Sequence, residues 1–340
     1  MYDLSGKTSV VTGAAMGMGR SLSMLLVKEG VKRLAICDVD YEMLKITRNK
    51  CMEQAQSSSK TCEITIHKVD VSNSNDIERF VKEVQKSTNT IDLLFNNAGI
   101  VISKAFDRMT AKEFDKVMAV NVSGVVNMTR LFWPLLMAAK PNPVAIVNTS
   151  SIAGFMPQAA GLSNAYATSK YAVRGFTEHL AMQCKIIAPH IRCVCVHPSA
   201  IKTEIARKNM NLNELDERFL ARGSFTFSWE KDEIEKMTDK EKLQFMRDRV
   251  TSTFERWGHS SDEAARIIVD GVKCGSTRVM VGWDAAMIDA WIRIFPRIFM
   301  SDIGAAIVMI SSVVGQHFYF PLAALSGLLL MFLRGVRSKF

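Results

Sequence analysis

Thr8-Ser9-Val10-Val11-Thr12-Gly13-Ala14-Ala15-Met16-Gly17-Met18-Gly19 runs from a short apolar segment into a turn with three glycines. Thr8–Thr12 reads as a strand and Gly17–Lys28 as a helix. Glycines at such a turn let the backbone approach a ligand closely, and the start of the following helix offers free N–H groups at the positive end of its dipole. The combination is a cradle for a pyrophosphate, as at the first turn of a dinucleotide-binding βαβ unit. A Gly-rich turn by itself would be ordinary; the strand before it and the helix after it give it weight.

Outward from this turn, short apolar runs alternate with amphipathic segments. Strands are expected at Leu34–Cys37, Glu63–Val69, Ile91–Phe95, Val144–Asn148 and Ile191–Val196. Helices are expected at Asp40–Gln54, Asn75–Lys86, Lys112–Met137 and Ala165–Lys185. The repetition predicts an α/β fold, a Rossmann-type doubly wound parallel sheet in a single catalytic domain over 1–300. Residues 207–257 break the rhythm with many charges and with Phe225, Phe227 and Trp229, and are expected to form a helical insertion lying as a lid over a substrate site. The pattern resumes with a helix at Asp262–Lys273 and a strand at Arg278–Val281.

Apolar residues at 48% and charged residues at 23% of 340 exclude a disordered chain. The net charge of +9 is spread along the sequence, without a basic face interleaved with aromatics, so no nucleic-acid role is expected. Seven cysteines without a C-x-x-C pair speak against zinc and against a disulfide framework. Met1–Gly6 holds no basic stretch leading into an apolar one, so no secretory leader is expected.

The tail, 301–340, is of another kind. No Asp, Glu, Lys or Arg occurs over 303–333, while Arg293 and Arg297 precede it and Arg334, Arg337 and Lys339 follow. The run is too short for two full membrane spans. Basic flanks on both sides favour a monotopic hairpin with both ends on the cytosolic side, and Gln316 and His317 would be costly at the middle of a straight span. A single span, or an apolar surface buried in a soluble dimer, are the alternatives. The expected location is a membrane surface such as the endoplasmic reticulum or a lipid droplet, with the catalytic domain in the cytosol; the alternative is cytoplasmic.

Four further features carry chemistry. Asp38 ends the second strand, where a carboxylate accepts hydrogen bonds from a ribose diol and repels a 2′-phosphate. No basic residue lies within the Gly-rich turn, so NAD is expected over NADP. Asn96-Asn97-Ala98-Gly99 follows the fourth strand. Ser150 and Ser151 close the next, where a hydroxyl can polarise a carbonyl oxygen. Tyr166 and Lys170, at i and i+4, share one helix face, and an ammonium beside a phenol lowers the phenol's pKa, as a general acid/base near neutrality requires.

Taken in order, Thr12 to Gly19, Asp70-Val71, Asn96 to Gly99, Asn121, Ser151, Tyr166 with Lys170, and Pro198 to Thr203 resemble the short-chain dehydrogenase/reductase (SDR) family over roughly residues 5–300. The resemblance implies Tyr166 as general acid/base and Lys170 as the group that lowers its pKa and holds the nicotinamide ribose. It implies Ser151 as the hydrogen-bond donor to the substrate oxygen and Asn121 as the anchor of a proton-relaying water. Gly13, Gly17, Met18, Gly19, Asp38, Asp70, Val71, Asn97 and Thr203 would contact the cofactor, with Asp70 and Val71 flanking the adenine. Met18 stands where the family often has Ile, and Ser199 where it usually has Gly. Ser151 and Tyr166 are two residues farther apart than is common, the excess falling in Gln158–Asn164. Tyr166–Glu178, His197–Arg207 and Ser261–Pro296 also resemble a bacterial-type subgroup, which implies no particular substrate. A homodimer through the helices at Lys112–Met137 and Ala165–Lys185 is implied by the same resemblance.

The expected activity is NAD(P)-dependent hydride transfer between nicotinamide and an alcohol or carbonyl. A membrane-bound enzyme would meet lipophilic substrates such as retinoids, steroids or lipid alcohols. The rivals are a non-catalytic, membrane-tethered nucleotide-binding scaffold, whose mark would be a broken catalytic set, and an NADPH-dependent carbonyl reductase using Lys32 or Arg33.

Overall fold

The computed structural model describes residues 2–156, 164–202 and 258–294, with a few positions between 236 and 248. Thr203, residues 158–163, nearly all of the expected 207–257 insertion and the whole 303–333 segment lie outside the described residues.

Seven strands form one parallel sheet: β1 (Thr8–Thr12), β2 (Arg33–Asp38), β3 (Glu63–Lys68), β4 (Leu93–Asn96), β5 (Val144–Thr149), β6 (Ile191–Pro198) and β7 (Arg278–Val281), in the order β3-β2-β1-β4-β5-β6-β7. Alternate residues of a strand point to opposite faces, and both faces are covered here. Val11, Ile36, Phe95, Val147 and Val196 pack under α1 (Gly17–Lys28), α2 (Tyr41–Ser57) and α7 (Ser261–Lys273). Val10, Ala35, Leu94 and Ile146 pack against α3 (Ser74–Gln85), α5 (Gly124–Met137) and α6 (Asn164–Ile187). Phe80 and Phe132 meet edge to face in that second layer, their ring centroids 5.5 Å apart. Truncating such a fully buried ring typically costs about 3–5 kcal/mol. The remaining described helices are α4 (Ala111–Met118) and α8 (Trp283–Ile294).

β1 lies between β2 and β4, so the chain reverses its winding direction there. The crevice at the carboxyl ends of β1 and β4 is where a ligand binds in such sheets. It receives the Gly-rich turn after β1 and the Asn96–Gly99 loop after β4.

The bounds of the other expected elements shift by up to three residues, as at Tyr41–Ser57 and Ile191–Pro198, and two differences have a visible cause. Lys112–Met137 is not one even helix: α4 opens with a capping box between Thr110 and Glu113, and a π turn at Ala119–Ser123 separates it from α5. Wide turns of this sort re-aim side chains at functional sites. Here the turn carries Asn121 inward to polar partners, and Gly124 lies against Val71, where a Cβ would stand 3.0 Å from Val71 Cγ2. The fourth strand begins at Leu93 rather than Ile91, because Ile91 gives its N–H to Leu135 in α5. Among the described residues, no helix is long and apolar enough to cross a membrane, and no cluster of metal-binding side chains occurs.

Candidate active site

The Gly-rich turn is held open by close backbone packing. Gly13 has φ +66°, a left-handed conformation that favours glycine, and a Cβ there would lie 2.8 Å from Ala98 Cα. A Cβ on Gly19 would come within 2.1 Å of Gly13 O and 2.7 Å of Asn97 Nδ2. Asn97 donates from Nδ2 to the carbonyls of Thr12 (3.1 Å) and Gly13 (3.3 Å), stitching the two loops together. Thr12 Oγ1 accepts the N–H groups of Asn97 and Ala98, both at 3.0 Å. Met16 caps α1 without a side-chain hydrogen bond, and no acidic residue stands in the first turn. The first N–H groups of α1 are therefore left for an anion. This cradle fits a pyrophosphate.

Asp38 sits at the rim of the cradle, half-buried at the end of β2. Its Oδ2 accepts from Ala15 N (3.0 Å) and its Oδ1 from Asp40 N (3.1 Å), so the carboxylate is fixed in place with lone pairs to spare. Ala15 is gripped on its other side as well, since its carbonyl receives Arg20 Nη2 and Thr47 Oγ1. The turn itself lacks a basic residue, yet Arg20 folds back onto it, its Nε donating to Thr47 Oγ1 at 3.0 Å. Lys68 is an exposed cation opposite Asp38 in the β2–β3 register. Asp70 is engaged by its neighbour, Oδ1 receiving Ser72 N (2.9 Å) and Ser72 Oγ (2.6 Å), and Val71 is buried against Gly124. Met18 is half-buried, packed on the core beneath α1.

Across the crevice, β5 and α6 bring a second group together. The two serines after β5 point to different partners. Ser150 Oγ donates to Lys170 O at 2.8 Å, while the Ser151 hydroxyl accepts Ala153 N at 3.2 Å and lies close enough to the Tyr166 phenol to lower its pKa. Lys170 Nζ donates to Thr149 O (2.8 Å) and lies 5.4 Å from the centre of the Tyr166 ring. Asn121 is fully buried: its Oδ1 accepts Ile100 N (2.8 Å), and its Nδ2 donates to Ile100 O and Ser169 Oγ, both at 2.9 Å. Gly99 is the meeting point, because a Cβ on it would lie 3.3 Å from Asn121 Oδ1 and 3.4 Å from Lys170 Nζ. Asn121, Ser151, Tyr166 and Lys170 thus converge at the same carboxyl end of the sheet as the cradle.

Burial dominates the electrostatics of this group. It lowers Lys170 to about 8, with only a small opposing contribution from Cys195. It raises the Tyr166 phenol above its ordinary value, and the nearby Ser151 hydroxyl pulls the other way. The site alone therefore holds a protonated phenol beside an easily discharged ammonium.

Sequence reasoning passed over a buried polar chain under the site. Asn96 Nδ2 donates to Thr129 Oγ1 (3.0 Å) and Asn148 Oδ1 (2.8 Å), and Asn148 Nδ2 donates to Thr177 Oγ1 (3.0 Å). These bonds tie β4 and β5 to α5 and α6. The available signal was an asparagine ending each of two otherwise apolar strands, which a buried sheet tolerates only with partners.

The short chain dehydrogenase family model matches residues 7–213. SadH of Mycobacterium tuberculosis H37Rv, named an oxidoreductase, is 30% identical over 307 residues, covering 90% of this chain and 97% of its own. A short-chain dehydrogenase/reductase from Burkholderia phymatum in complex with NAD superimposes with a TM-score of 0.68 at 23% identity, over 88% of this chain and 96% of its own. A short chain dehydrogenase from Burkholderia cenocepacia in complex with NADP gives 0.63 at 20% identity, over 89% and 99%. Nicotinamide cofactors of both kinds are thus held by the same fold. The cradle, the crevice and the family match together place this chain, an oxidoreductase, in the short-chain dehydrogenase/reductase family.

Proposed function

We propose that the protein oxidises the hydroxyl of a lipophilic alcohol with NAD, using Tyr166 as the general acid/base. The observation that carries this reading is the convergence of Ser151, Tyr166 and Lys170 on one side of the crevice, with the pyrophosphate cradle on the other. A bound nicotinamide supplies the hydride-accepting carbon, C4, and in its oxidised form a positive charge. Ser151 donates a hydrogen bond to the substrate oxygen. Tyr166 takes the hydroxyl proton as the hydride leaves the carbinol carbon, and returns it in the reverse direction. The Lys170 ammonium stabilises the phenolate and reaches the nicotinamide ribose. Asn121 holds the loop at Ile100 in place and anchors the route by which the proton leaves. Gly13, Gly17, Met18 and Gly19 would hold the pyrophosphate, Asp70, Val71 and Asn97 the adenosine side and the ribose, and Thr203 the nicotinamide.

Asp38 favours NAD, because its anchored carboxylate meets a ribose diol and repels a 2′-phosphate. Lys68 across the register supports a second reading, an NADPH-dependent carbonyl reductase, in which it softens that repulsion. The charge-free run 303–333 supports attachment to a membrane surface, and with it a lipophilic substrate. Met182, Ile186 and Ile187, all exposed on α6, support a homodimer through that helix.

The test is a panel of long-chain, steroid and retinoid alcohols offered with NAD to full-length protein in detergent or vesicles, wild type beside Tyr166→Phe. The variant should fall by a factor on the order of 10²–10⁴ in kcat, the usual range for a lost general acid/base. An undiminished Tyr166→Phe rate would remove Tyr166 from the mechanism.

A further inference from the structure

The penultimate residue of β6 is a histidine outside the proposed catalytic set. His197 is completely buried. Its Nδ1 lies 3.0 Å from Ser151 O. A carbonyl oxygen only accepts, so Nδ1 must carry the proton and donate. Nε2 is then a lone pair, and among the described residues it is buried with no hydrogen-bond partner. The ring stands edge to face against Phe155, with centroids 5.1 Å apart and planes at 71°.

The place of this bond gives it meaning. The β5–β6 ladder runs as far as Thr149 opposite Val196, and Ser150 N still donates to Val196 O at 2.8 Å. Beyond that point β5 leaves the sheet. Ser151 is extended, at φ −170° and ψ 168°, and caps the short 3-10 turn Ile152–Gly154. Gly154 N donates to Ser151 O at 2.9 Å, and the imidazole supplies that oxygen's second donor. A side chain thus continues the ladder where backbone pairing has stopped, at the residue whose hydroxyl reaches Tyr166.

We propose that His197 is a positioning residue for Ser151: the neutral imidazole, protonated at Nδ1, holds the Ser151 carbonyl and so aims the Ser151 hydroxyl at Tyr166 and the substrate oxygen. The inference rests on the reading of Ser151 and Tyr166 given above. His197 is given no proton of the reaction to move: its own proton sits at Nδ1, committed to the Ser151 carbonyl. Nor does it switch with pH in the working range. Burial lowers its pKa to about 4; among the charged groups around it, Arg174 and Arg293 push the same way and Glu178 opposes them, as does the Ser151 carbonyl.

Two measurements test this. Long-range ¹H–¹⁵N correlation of the imidazoles in full-length protein near neutral pH reports the tautomer without any substrate. The proposal predicts Nδ1–H at His197, and an Nε2–H tautomer would overturn it. The second measurement is NADH-dependent reduction of an aromatic ortho-quinone as carbonyl probe, with NADH affinity and thermal midpoint recorded for each variant. His197→Asn keeps a donor at the place of Nδ1 and should retain most of the wild-type kcat. His197→Gln puts its donor at the place of Nε2, and His197→Phe has none. Both should lose kcat by on the order of a hundredfold, with NADH binding unchanged, as a misaimed group does. Equal losses in all three variants, or none, would overturn the role. Tyr166→Phe in the same assay separates the two claims: if it keeps its rate, the reading of the site fails, whereas its loss beside a fully active His197→Phe removes His197 alone.

Discussion

Replacing Lys170 by methionine tests the electrostatics of the site without needing a substrate. The side chain is almost entirely buried, and burial lowers its pKa from 10.5 to about 8. That gap corresponds to about 3 kcal/mol of penalty for carrying the charge in the folded chain, at about 1.4 kcal/mol per pH unit. Below about pH 8 folded and unfolded chains are both protonated at this residue, and the penalty is fully present. Between about 8 and 10.5 the unfolded chain still binds the proton that the folded chain has released, so stability rises with pH. Above 10.5 the penalty is gone. Tyr166 acts in the opposite sense at high pH, because its raised pKa keeps the folded phenol protonated longer, but it is present in both proteins and cancels in the comparison to first order. Methionine fills a similar volume without the charge. The loss of the donor to Thr149 O adds a cost of about 1–3 kcal/mol that hardly depends on pH. Urea unfolding of wild type and Lys170→Met across this range should show the difference moving in favour of wild type by about 3 kcal/mol as pH rises. A difference that stays flat would refute the claim that Lys170 is charged at the expense of stability near neutral pH.

Three other outcomes follow from the geometry. Gly19→Ala forces a Cβ to within 2.1 Å of Gly13 O, so NADH affinity should drop by more than about a hundredfold while circular dichroism still shows the sheet. Asn148→Ala leaves one of the two Asn96 Nδ2 hydrogens without its acceptor and takes a donor from Thr177 Oγ1, and chemical denaturation should show a loss of about 2–4 kcal/mol. Lys68→Glu places a second carboxylate beside Asp38, and titration should show NADPH weakened by about tenfold with NADH changed by less than about threefold.

Much of the fold is legible in the residues because its signals are local and agree with one another. Val10 and Val11 enter opposite core layers, as a fully covered parallel strand requires, and Gly13 and Gly19 occupy positions that admit no other side chain. The catalytic candidates are legible for another reason: Tyr166 and Lys170 share a helix face by spacing alone. What escapes is whatever depends on tertiary partners. The π turn cannot be seen in the periodicity of Lys112–Met137, because its cause is Asn121 finding Ile100 and Ser169, residues distant in sequence. On the chain Ser151 is picked over Ser150 only by the family resemblance; the physical difference comes with the departure of β5 from the sheet, which leaves Ser150 on Lys170 O and brings Ser151 to Tyr166. His197 looks like any polar residue before a proline until Ser151 O is seen beside it. Arg20 and Lys68 are likewise ordinary surface cations in the sequence, and the fold brings one onto Ala15 and the other opposite Asp38.

We propose that a nicotinamide dinucleotide lies between the Gly13–Gly19 cradle and the Tyr166–Lys170 face, with its adenosine ribose on Asp38. Calorimetric titration of NADH and NADPH into wild type and Asp38→Ala tests it directly. Wild type should bind NADH at least about tenfold more tightly than NADPH, and Asp38→Ala should narrow or reverse that gap by weakening NADH. Binding of neither cofactor, or an NADPH preference untouched by the substitution, would contradict it.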